Sequence, residues 1–311
     1  MAAGITDITA VADSLPTEFI AEVKLANRYA PIMRPLVRNV DLPDGSGSKW
    51  QSTELTRSTI VALADGDDLA TAEQVTDTAF TITPTRYGGQ IVYTEEAYRK
   101  FTKQADLARM VGEILREDML RKEDVDLLTQ LDSFSTSLGG AGTSLTVGHI
   151  MAAGAGVRSG GQAAGAITSG TQNAPTGDIN GVFSSAQMHT VMKTLAVGRQ
   201  ILTTSGASQE GPQPGNVAMR ALQEAAVDRI GGVKTYIDDN LGKDASDDAK
   251  GGVFARDAIV QCHFMGGVRV REDFDESRET HEINVFMNKG IGEYKDAWGR
   301  EMLFDAAEPT S

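Results

Sequence analysis

The sequence lacks the features that would make disulfide bonds or membrane spans. Its single cysteine, Cys262, cannot form an intrachain disulfide and is typical of a protein from a reducing compartment. No apolar run approaches the ~20 residues that cross a bilayer. The first residues, MAAGITDITAVADSLP, contain neither a basic segment nor an apolar one, so we expect no signal peptide. We therefore predict a soluble protein made in the cytoplasm, with no membrane partner.

Basic residues are scarce relative to acidic ones. The 311-residue chain has 29 Lys and Arg against 43 Asp and Glu, a formal net charge of -14 at pH 7. Nucleic-acid-binding proteins are normally basic, so if this protein encloses nucleic acid it does so without gripping it. Hydrophobic residues make up 41% of the chain and aromatic residues only 6%, which predicts an aliphatic core in one large or two modest domains.

Motifs for catalysis or cofactor binding are also missing. GGVKT (231–235) lacks the Gly-Lys-Thr order of a P-loop, and no G-x-S-x-G sequence occurs. Cys262 and His263 are neighbours, but in a strand they point to opposite faces and form no nucleophile–base pair, so Cys262 is expected to be buried and structural. We predict no cofactor and no enzymatic activity, with an enzyme whose site is not recognised as an alternative.

Acidic residues come closest to a metal motif in DDNLGKDASDD (238–248). An EF-hand loop that started at Asp238 would place Lys243 at the required glycine and Ala249 at the bidentate glutamate. The run therefore predicts a solvated loop and no metal site. The adjacent acids Glu123 and Asp124 do not indicate acid–base chemistry in a chain with so many carboxylates.

A polar, threonine-rich stretch over 51–93 has the alternation of strands. Phe80 and Ile82 alternate with threonines, whereas Pro84 and the pair Gly88-Gly89 are expected to interrupt the run. Asp65-Gly66 favours a turn, which predicts a long hairpin with an acidic tip formed by Asp65, Gly66, Asp67 and Asp68. The hairpin has too few large apolar residues to bury itself, so we expect it to lie on another subunit.

A long amphipathic helix follows the hairpin. Thr94 is the expected N-cap, with Glu95 and Glu96 in the first turn, and an irregularity is expected near Thr102. A continuous helix over 106–131 would be ~39 Å long at 1.5 Å per residue. Its apolar face is predicted to contain Leu107, Met110, Val111, Ile114, Leu115, Val125, Leu128 and Leu131.

The rest of the sequence predicts three short helices, a glycine-rich loop region and a set of C-terminal strands. A short helix is expected over 16–29 and another near 184–196, and a third over 218–230 is expected to end at Gly231-Gly232 before a strand. Twelve of the 43 residues in 139–181 are glycine, which predicts a loop-rich, partly disordered region. From Ala258 onward the sequence predicts strands.

The order of these parts resembles the major capsid protein of tailed bacteriophages, the Hong Kong ninety-seven-type fold that encapsulin nanocompartments share. The likeness is carried by RYGGQIVYTEEAYRKF (86–101), NGVFSSAQMHTVMKTL (180–195), DRIGGVKTYIDDNL (228–241) and NVFMNKGIGEYKDAWGREMLFDA (284–306). The resemblance implies an α+β fold with an N-arm over 1–49, an E-loop over 50–88, a P-domain over 89–138 and 267–311, and an A-domain over 139–266. The helix described above would be the spine helix of the P-domain.

The same resemblance implies a function. Such subunits assemble with one another into hexamers and pentamers of an icosahedral virion shell, which encloses double-stranded DNA without sequence-specific binding. Assembly would take place in the host cytoplasm, with possible scaffolding, portal and decoration proteins as partners. The E-loop tip, Asp65 to Asp68, would contact a neighbouring subunit.

One departure from the family pattern concerns cross-linking. Some relatives join an E-loop lysine to an asparagine of a neighbouring subunit, but here no lysine occurs between Lys49 and Lys100. We therefore expect a non-covalent shell. No long helical scaffolding segment is evident at the N-terminus, so we expect a separate scaffold or none. An encapsulin-type shell remains the alternative that shares the fold.

Overall fold

The computed structural model describes residues 31–43, 49–55, 65, 76–100, 104–160, 175, 177–193 and 229–309. Within these residues the strands form three sheets of four, six and two strands. The predicted helix over 16–29 lies outside the described residues. No helix in the described part is both long enough and apolar enough to span a membrane.

The four-stranded sheet contains the two longest strands of the described chain. Its order is β1 (Arg38–Leu42), β10 (Ile259–Asp275), β11 (Thr280–Glu293) and β4 (Thr85–Thr94). Strand β1 is parallel to β10, whereas β10, β11 and β4 are antiparallel. The pairing of β10 with β11 shifts between Phe264 and Arg269, where one strand carries extra residues. The prediction of a strand-rich C-terminal part is confirmed.

The six-stranded sheet collects strands from both halves of the chain. Its order is β5 (Ser137–Gly139), β12 (Gly299–Asp305), β9 (Asp248–Ala255), β6 (Ile179–Phe183), β8 (Val233–Ile237) and β7 (Arg229–Ile230). The last strand, β12, thus pairs with β5 and β9 and not with the four-stranded sheet. The division of the chain into N-arm, E-loop, P-domain and A-domain stays a prediction.

Helices α1 (Glu95–Lys100) and α2 (Gln104–Thr129) follow β4 directly. The backbone N–H of Ala97 donates to Thr94 Oγ1 at 3.2 Å, which confirms the predicted N-cap. The 26-residue α2 packs on the four-stranded sheet through Leu115 and Met119, which join Ile283, Val285 and Met287 in one apolar cluster. Ile114 was predicted on this buried face, but it is 37% exposed. The side chain of Leu107 lies outside the described ones.

Two glycines were expected to break β4, and this prediction is wrong. Gly88 and Gly89 lie inside the strand, opposite Phe286 and Val285 of β11. A Cβ at Gly88 would lie 3.1 Å from the Phe286 ring, and one at Gly89 would lie 3.3 Å from Val285 Cγ1. The glycines therefore admit large side chains of the neighbouring strand.

A helix also forms where the glycine-rich region predicted loops. Helix α3 (Val147–Arg158) begins at Thr146, whose side chain accepts a hydrogen bond from His149 N. It buries Ile150, Ala153 and Val157 against the six-stranded sheet. A Cβ at Gly154 would lie 2.5 Å from Val233 Cγ2, so glycine here allows close helix–sheet contact. The loop prediction is wrong for 147–158, and 161–174 lie outside the described residues.

The pair Gly231-Gly232 connects β7 to β8 and does not end a helix. Both glycines have positive φ, +59° and +85°, as the two central residues of a tight hairpin turn require. The predicted helix is therefore wrong at Arg229 and Ile230, and its remainder, 218–228, lies outside the described residues. Residues 185–193 form the helix expected near 184–196, here α4.

The acidic run over 238–248 was expected to be a solvated loop, but both ends of it are buried. Asp238 and Asp248 are 2% and 1% exposed. Asp238 Oδ1 accepts hydrogen bonds from the backbone and side-chain nitrogens of Asn240, and Asp248 Oδ1 accepts one from Gly142 N at 2.8 Å. Asp238 thus stabilises the turn after β8, and Asp248 holds the loop after β5, by accepting backbone hydrogen bonds.

Candidate functional site

The two-stranded sheet is the base of a hairpin, and its strands are not hydrogen-bonded to either of the other two sheets. Strand β2 (Trp50–Leu55) pairs antiparallel with β3 (Asp77–Ile82), from Trp50 opposite Ile82 to Leu55 opposite Asp77. Of the predicted tip residues, Asp65 lies in a turn and is exposed. Gly66, Asp67 and Asp68 lie outside the described residues. The described part of this hairpin is therefore its base.

Three aromatic rings hold the hairpin base on the body of the protein. Trp50 of β2 and Phe80 of β3 each meet Tyr294, which follows β11, with ring centroids 6.1 and 5.5 Å apart. Trp50 and Phe80 also meet each other, at 6.2 Å. All three contacts are edge-to-face, the arrangement that aromatic quadrupoles favour. This cluster joins segments more than 200 residues apart in sequence.

A polar contact lies beside the aromatic one. The Tyr294 hydroxyl donates to Glu54 Oε1 at 2.7 Å, and the Lys295 ammonium donates to the other oxygen of Glu54. Burial by itself raises the pKa of Glu54, but the hydrogen bonds from Lys295 and Tyr294 lower it overall. Burial and the neighbouring Glu54 raise the pKa of Tyr294. We call Trp50, Phe80, Glu54, Tyr294 and Lys295 the hairpin anchor.

Two glycines of β11 bring the hairpin close to the four-stranded sheet. A Cβ at Gly290 would lie 2.6 Å from Ile82 Cγ2 and 2.9 Å from Cys262 Sγ, and one at Gly292 would lie 3.0 Å from the Phe80 ring. These are shorter than the ~3.5–4.0 Å at which carbon atoms pack. Ile82 is 5% exposed and packs with the fully buried Cys262. β3 thus lies directly on the sheet, and no side chain of larger size would fit between them.

The opposite face of the same sheet contains a buried charged cluster beneath α2. Glu123 is fully buried, with Oε1 2.5 Å from Gln261 Nε2 and 3.3 Å from His263 Nε2. Burial raises the pKa of Glu123, but the approach of His263 and Arg34 lowers it overall. Lys289, 2% exposed, lies 2.7 Å from Asp126 Oδ2, and burial lowers its pKa although Asp126 opposes that change.

This cluster is built from ion pairs and hydrogen bonds within one chain. Its groups are enclosed between α2 and strands β10 and β11, where each charge faces an opposite charge of the same molecule. Cys262 points away from it toward the hairpin, which confirms that Cys262 and His263 do not meet as a nucleophile and base. Burial raises the pKa of the Cys262 thiol, as expected of an inert cysteine.

Among the described residues no group of three or more His, Cys, Asp or Glu side chains is placed to hold a metal ion. The acidic run at 238–248 uses Asp238 and Asp248 to accept hydrogen bonds within the protein. Among the described residues, the anchored hairpin base is therefore the candidate functional site.

Comparison with solved structures shows that this arrangement is a known fold. The chain is similar to the capsid of the cyanophage P-SCSP1u (TM-score 0.64, 14% identity, 96% of this chain and 95% of the other). It is also similar to the head structure of the Helicobacter pylori bacteriophage KHP40 (0.69, 12%, 94% and 96%) and to the capsid of Ralstonia phage GP4 (0.67, 11%, 95% and 96%).

These likenesses cover nearly all of both chains, so they concern the whole fold and not a shared fragment. At 11–14% identity they show the fold alone. No protein-family model and no curated protein matches the chain. The resemblance to phage capsid proteins, drawn above from the order of segments, is confirmed at the level of the fold, as is the mixed helix-and-sheet class.

Proposed function

We propose that this chain is the major capsid protein of a tailed bacteriophage. In this proposal it assembles by non-covalent contacts into hexamers and pentamers of an icosahedral head around double-stranded DNA. The observation that carries the proposal is the likeness, over 94–96% of this chain, to structures of phage capsids and heads. A fold alone does not decide function, so the site must support the same conclusion.

The anchored hairpin supports an assembly role. A two-stranded hairpin is marginally stable alone, and the described base of this one is held on the body through Glu54, Trp50 and Phe80. Residues 56–76 connect β2 to β3 in the sequence. In the proposal, 50–88 is the E-loop of the subunit, and its tip, Asp65 to Asp68, contacts a neighbouring subunit.

The contact with the neighbour would be non-covalent. Residues 50–99 contain no lysine, so the hairpin has no amine that could form an isopeptide bond. Lys295, which contacts the hairpin base, is bound by Glu54. Repeated contacts of this kind around a closed ring give a capsomer. Virion localisation, assembly in the host cytoplasm, and scaffolding, portal and decoration partners belong to the same proposal.

Expression of the chain alone and together with its neighbouring phage genes tests the proposal. We expect closed shells in negative-stain images and in sucrose gradients. On a denaturing gel we expect one band at the 33.1 kDa of the subunit, without covalent ladders. A chain that stays monomeric under every co-expression, or that fills its shells with an enzyme cargo and never with DNA, would refute the phage assignment.

Deletion of residues 58–78 tests the hairpin separately. The variant should give a soluble, helical subunit that forms no closed shell, and normal shells would refute the role of the hairpin. Asp118→Ala, an exposed position on α2, is the matched control and should assemble like the parent chain.

A further inference from the structure

Strand β10 is an edge of the four-stranded sheet over its second half. Residues 260–264 pair with β1, whereas 269–275 pair with β11 on one side and, among the described residues, with no strand on the other. The N–H of Phe274 donates to the side chain of its neighbour Asp273 at 2.9 Å, as expected of a backbone group that faces away from the ladder. We call 269–275 the free edge; such an edge is a template for pairing with another strand.

The free edge carries exposed apolar side chains on one of its faces. Val270 and Phe274 are each 43% exposed. Both lie on the face that carries α2, since Val270 is opposite Val285 and a Cβ at Gly112 of α2 would lie 3.5 Å from Val270 Cγ1. Exposed apolar residues on an unpaired edge favour association, and natural proteins usually avoid them. A strand added to this edge would cover both side chains.

The sequence of the free edge, RVREDFD, is complementary to its own reverse. In an antiparallel pair of two copies centred on residue 272, opposite charges and apolar side chains face one another: Arg271 with Asp273 and Val270 with Phe274, each twice because of the two-fold symmetry. Pairs of both kinds stabilise an antiparallel ladder, whereas like charges that face one another destabilise it.

The charges also select this register over its neighbours. Moving the centre to Arg271 or to Asp273 would place that charge opposite its own copy. In the described part of the chain neither side chain forms an ion pair, and both are exposed on the face opposite α2. At the centre Glu272 would face its own copy, but its carboxylate is directed back over the sheet, 3.5 Å from both the Tyr93 hydroxyl and His281 Nδ1.

We infer that the free edge of β10 pairs antiparallel with the free edge of a second copy of this chain, about a two-fold axis at Glu272. The occupant is a second copy because the edge itself supplies, in reverse order, the charges and apolar side chains that face it. The contact continues the four-stranded sheet of one copy into that of the other. It goes beyond the proposed function, because it requires neither the hairpin nor a closed shell.

A cysteine on the axis tests the register. Directly opposed residues of an antiparallel pair lie ~4.5–5.5 Å apart at Cα, a distance that a disulfide spans. Glu272→Cys should therefore give a disulfide-linked dimer on a non-reducing denaturing gel after mild oxidation of concentrated protein. The single cysteine of the sequence, Cys262, is buried and should not react. Glu276→Cys is the control, because at ~3.4 Å per residue its two copies would lie ~27 Å apart.

The absence of a Glu272→Cys dimer would overturn the inference, and it would mean that the edge stays open or is covered by another segment. Equal cross-linking of Glu276→Cys would overturn the register.

Charge exchange in the Glu272→Cys chain tests what selects the partner. Arg271→Asp and Asp273→Arg should each lower the cross-linked fraction ~5-fold or more, because both symmetric pairs change from unlike to like charges. The double variant R271D/D273R restores opposite charges and should cross-link like the Glu272→Cys chain. Arg116→Asp, on the exposed surface of α2, is the matched control and should have no effect. Normal cross-linking of both single variants, or no recovery in the double variant, would contradict the charge pairing.

Mixtures in which one chain carries a tag give a second test of the same pairs. When R271D is mixed with D273R, every contact between unlike chains joins opposite charges, so mixed dimers should predominate. When the Glu272→Cys chain is mixed with its R271D/D273R form, unlike chains meet with like charges, so each should dimerise with itself. A statistical distribution of dimers in both mixtures would refute selection by charge.

Folding defects and failure of the proposed function give different results. Circular dichroism and thermal unfolding identify a variant that has lost its fold, and Arg271→Asn or Asp273→Asn then replaces it; these should lower cross-linking less, and unchanged cross-linking would contradict the charge pairing. Cross-linked dimers from a chain that never forms particles would refute the proposed function and support this contact. Particles without the cross-link would refute this contact alone.

Discussion

The contact between the hairpin and the sheet at Gly290 gives the sharpest prediction about the subunit itself. Replacing Gly290 with alanine adds a Cβ that would lie 2.6 Å from Ile82 Cγ2, 2.9 Å from Cys262 Sγ and 3.2 Å from Pro84 Cα. Gly290 does not have positive φ, so alanine introduces no backbone strain. In open space such a change would stabilise the protein by about 0.4–1 kcal/mol. The effect of the substitution is therefore decided by the steric contacts.

The expected magnitude follows from these distances. Carbon atoms pack at ~3.5–4.0 Å, so the methyl group and Ile82 must separate by ~1 Å. Overpacking of this kind costs about 1–3 kcal/mol. At Gly290 strand β11 is paired with β10, which is paired in turn with β1, whereas in the described residues β2 and β3 pair with each other alone. We therefore expect β3 to move away and the sheet to stay in place. The loss should therefore be local to β2 and β3.

Hydrogen exchange read by mass spectrometry measures this locally. In Gly290→Ala, peptides covering 50–55 and 77–82 should exchange ~5–150-fold faster, the equivalent of about 1–3 kcal/mol, while peptides from β9 and β12 stay unchanged. Gly292→Ala, whose Cβ would lie 3.0 Å from Phe80, should show a smaller effect, and Gly242→Ala, with no atom within 4 Å, should show none. Unchanged exchange in the hairpin of Gly290→Ala would refute the close packing of β3 on the sheet.

Three further predictions concern the hairpin anchor and the buried cluster. Tyr294→Phe keeps the ring but removes the hydroxyl that donates to Glu54. Hydrogen exchange of the β2 peptide, measured at increasing urea concentration, should show that the free energy of opening β2 falls by about 0.5–1.5 kcal/mol, and Tyr236→Phe is the control. Glu123→Ala should lower the free energy of unfolding in urea by about 3–5 kcal/mol, because it leaves His263 and Gln261 buried without their partner. The control, exposed Asp118→Ala, should change that free energy by no more than ~0.5 kcal/mol. Equal effects of the two substitutions would contradict the buried pairing. Because the pKa of Glu54 is lowered from 4.5, its contribution is complete above that pH and is lost as the pH falls through the lower folded value. Trp50 fluorescence, recorded in a Trp298→Phe background, should report this acid transition, and Glu54→Gln should abolish it; a transition that persists in Glu54→Gln would exclude Glu54 as its origin.

Local patterns predicted the elements that depend on local physics. The period-two alternation around Phe80 and Ile82 identified β3, and the Thr94 N-cap followed by two glutamates identified the start of α1. Residues 104–129 are helical because apolar positions recur at helical spacing over seven turns. These signals involve residues close in sequence, where one chain segment is enough to decide the outcome.

The predictions at the glycines were wrong because the contacts that require glycine are made by residues distant in the sequence. Gly154 sits in α3 since Val233, 79 positions later, leaves no room for a Cβ, and Gly88 sits in β4 since Phe286 occupies the space beside it. From sequence alone both read as breakers of regular structure. Contacts across such distances are fixed by the fold and have no local signature.

The buried cluster left a signal that could have been read. Leu115, Met119, Leu127 and Leu131 recur every four residues along α2 and the 3-10 turn that follows it, and Glu123 occupies the missing place in that series. A carboxylate in the middle of an apolar stripe predicts a buried, paired acid. Its partners, His263 and Gln261, could not be named this way, and neither could Lys295, which is 241 residues from Glu54.

The long helix α2 and the hairpin base pack on opposite faces of the four-stranded sheet. Successive side chains of a strand point to opposite faces, so His263 and Lys289 contact α2 while their neighbours Cys262 and Gly290 contact β3. A displacement on one face can reach the other only through the backbone of β10 and β11, which ladders to β1 and β4 hold on both sides. The position of the hairpin base relative to α2 is therefore set by the sheet that lies between them.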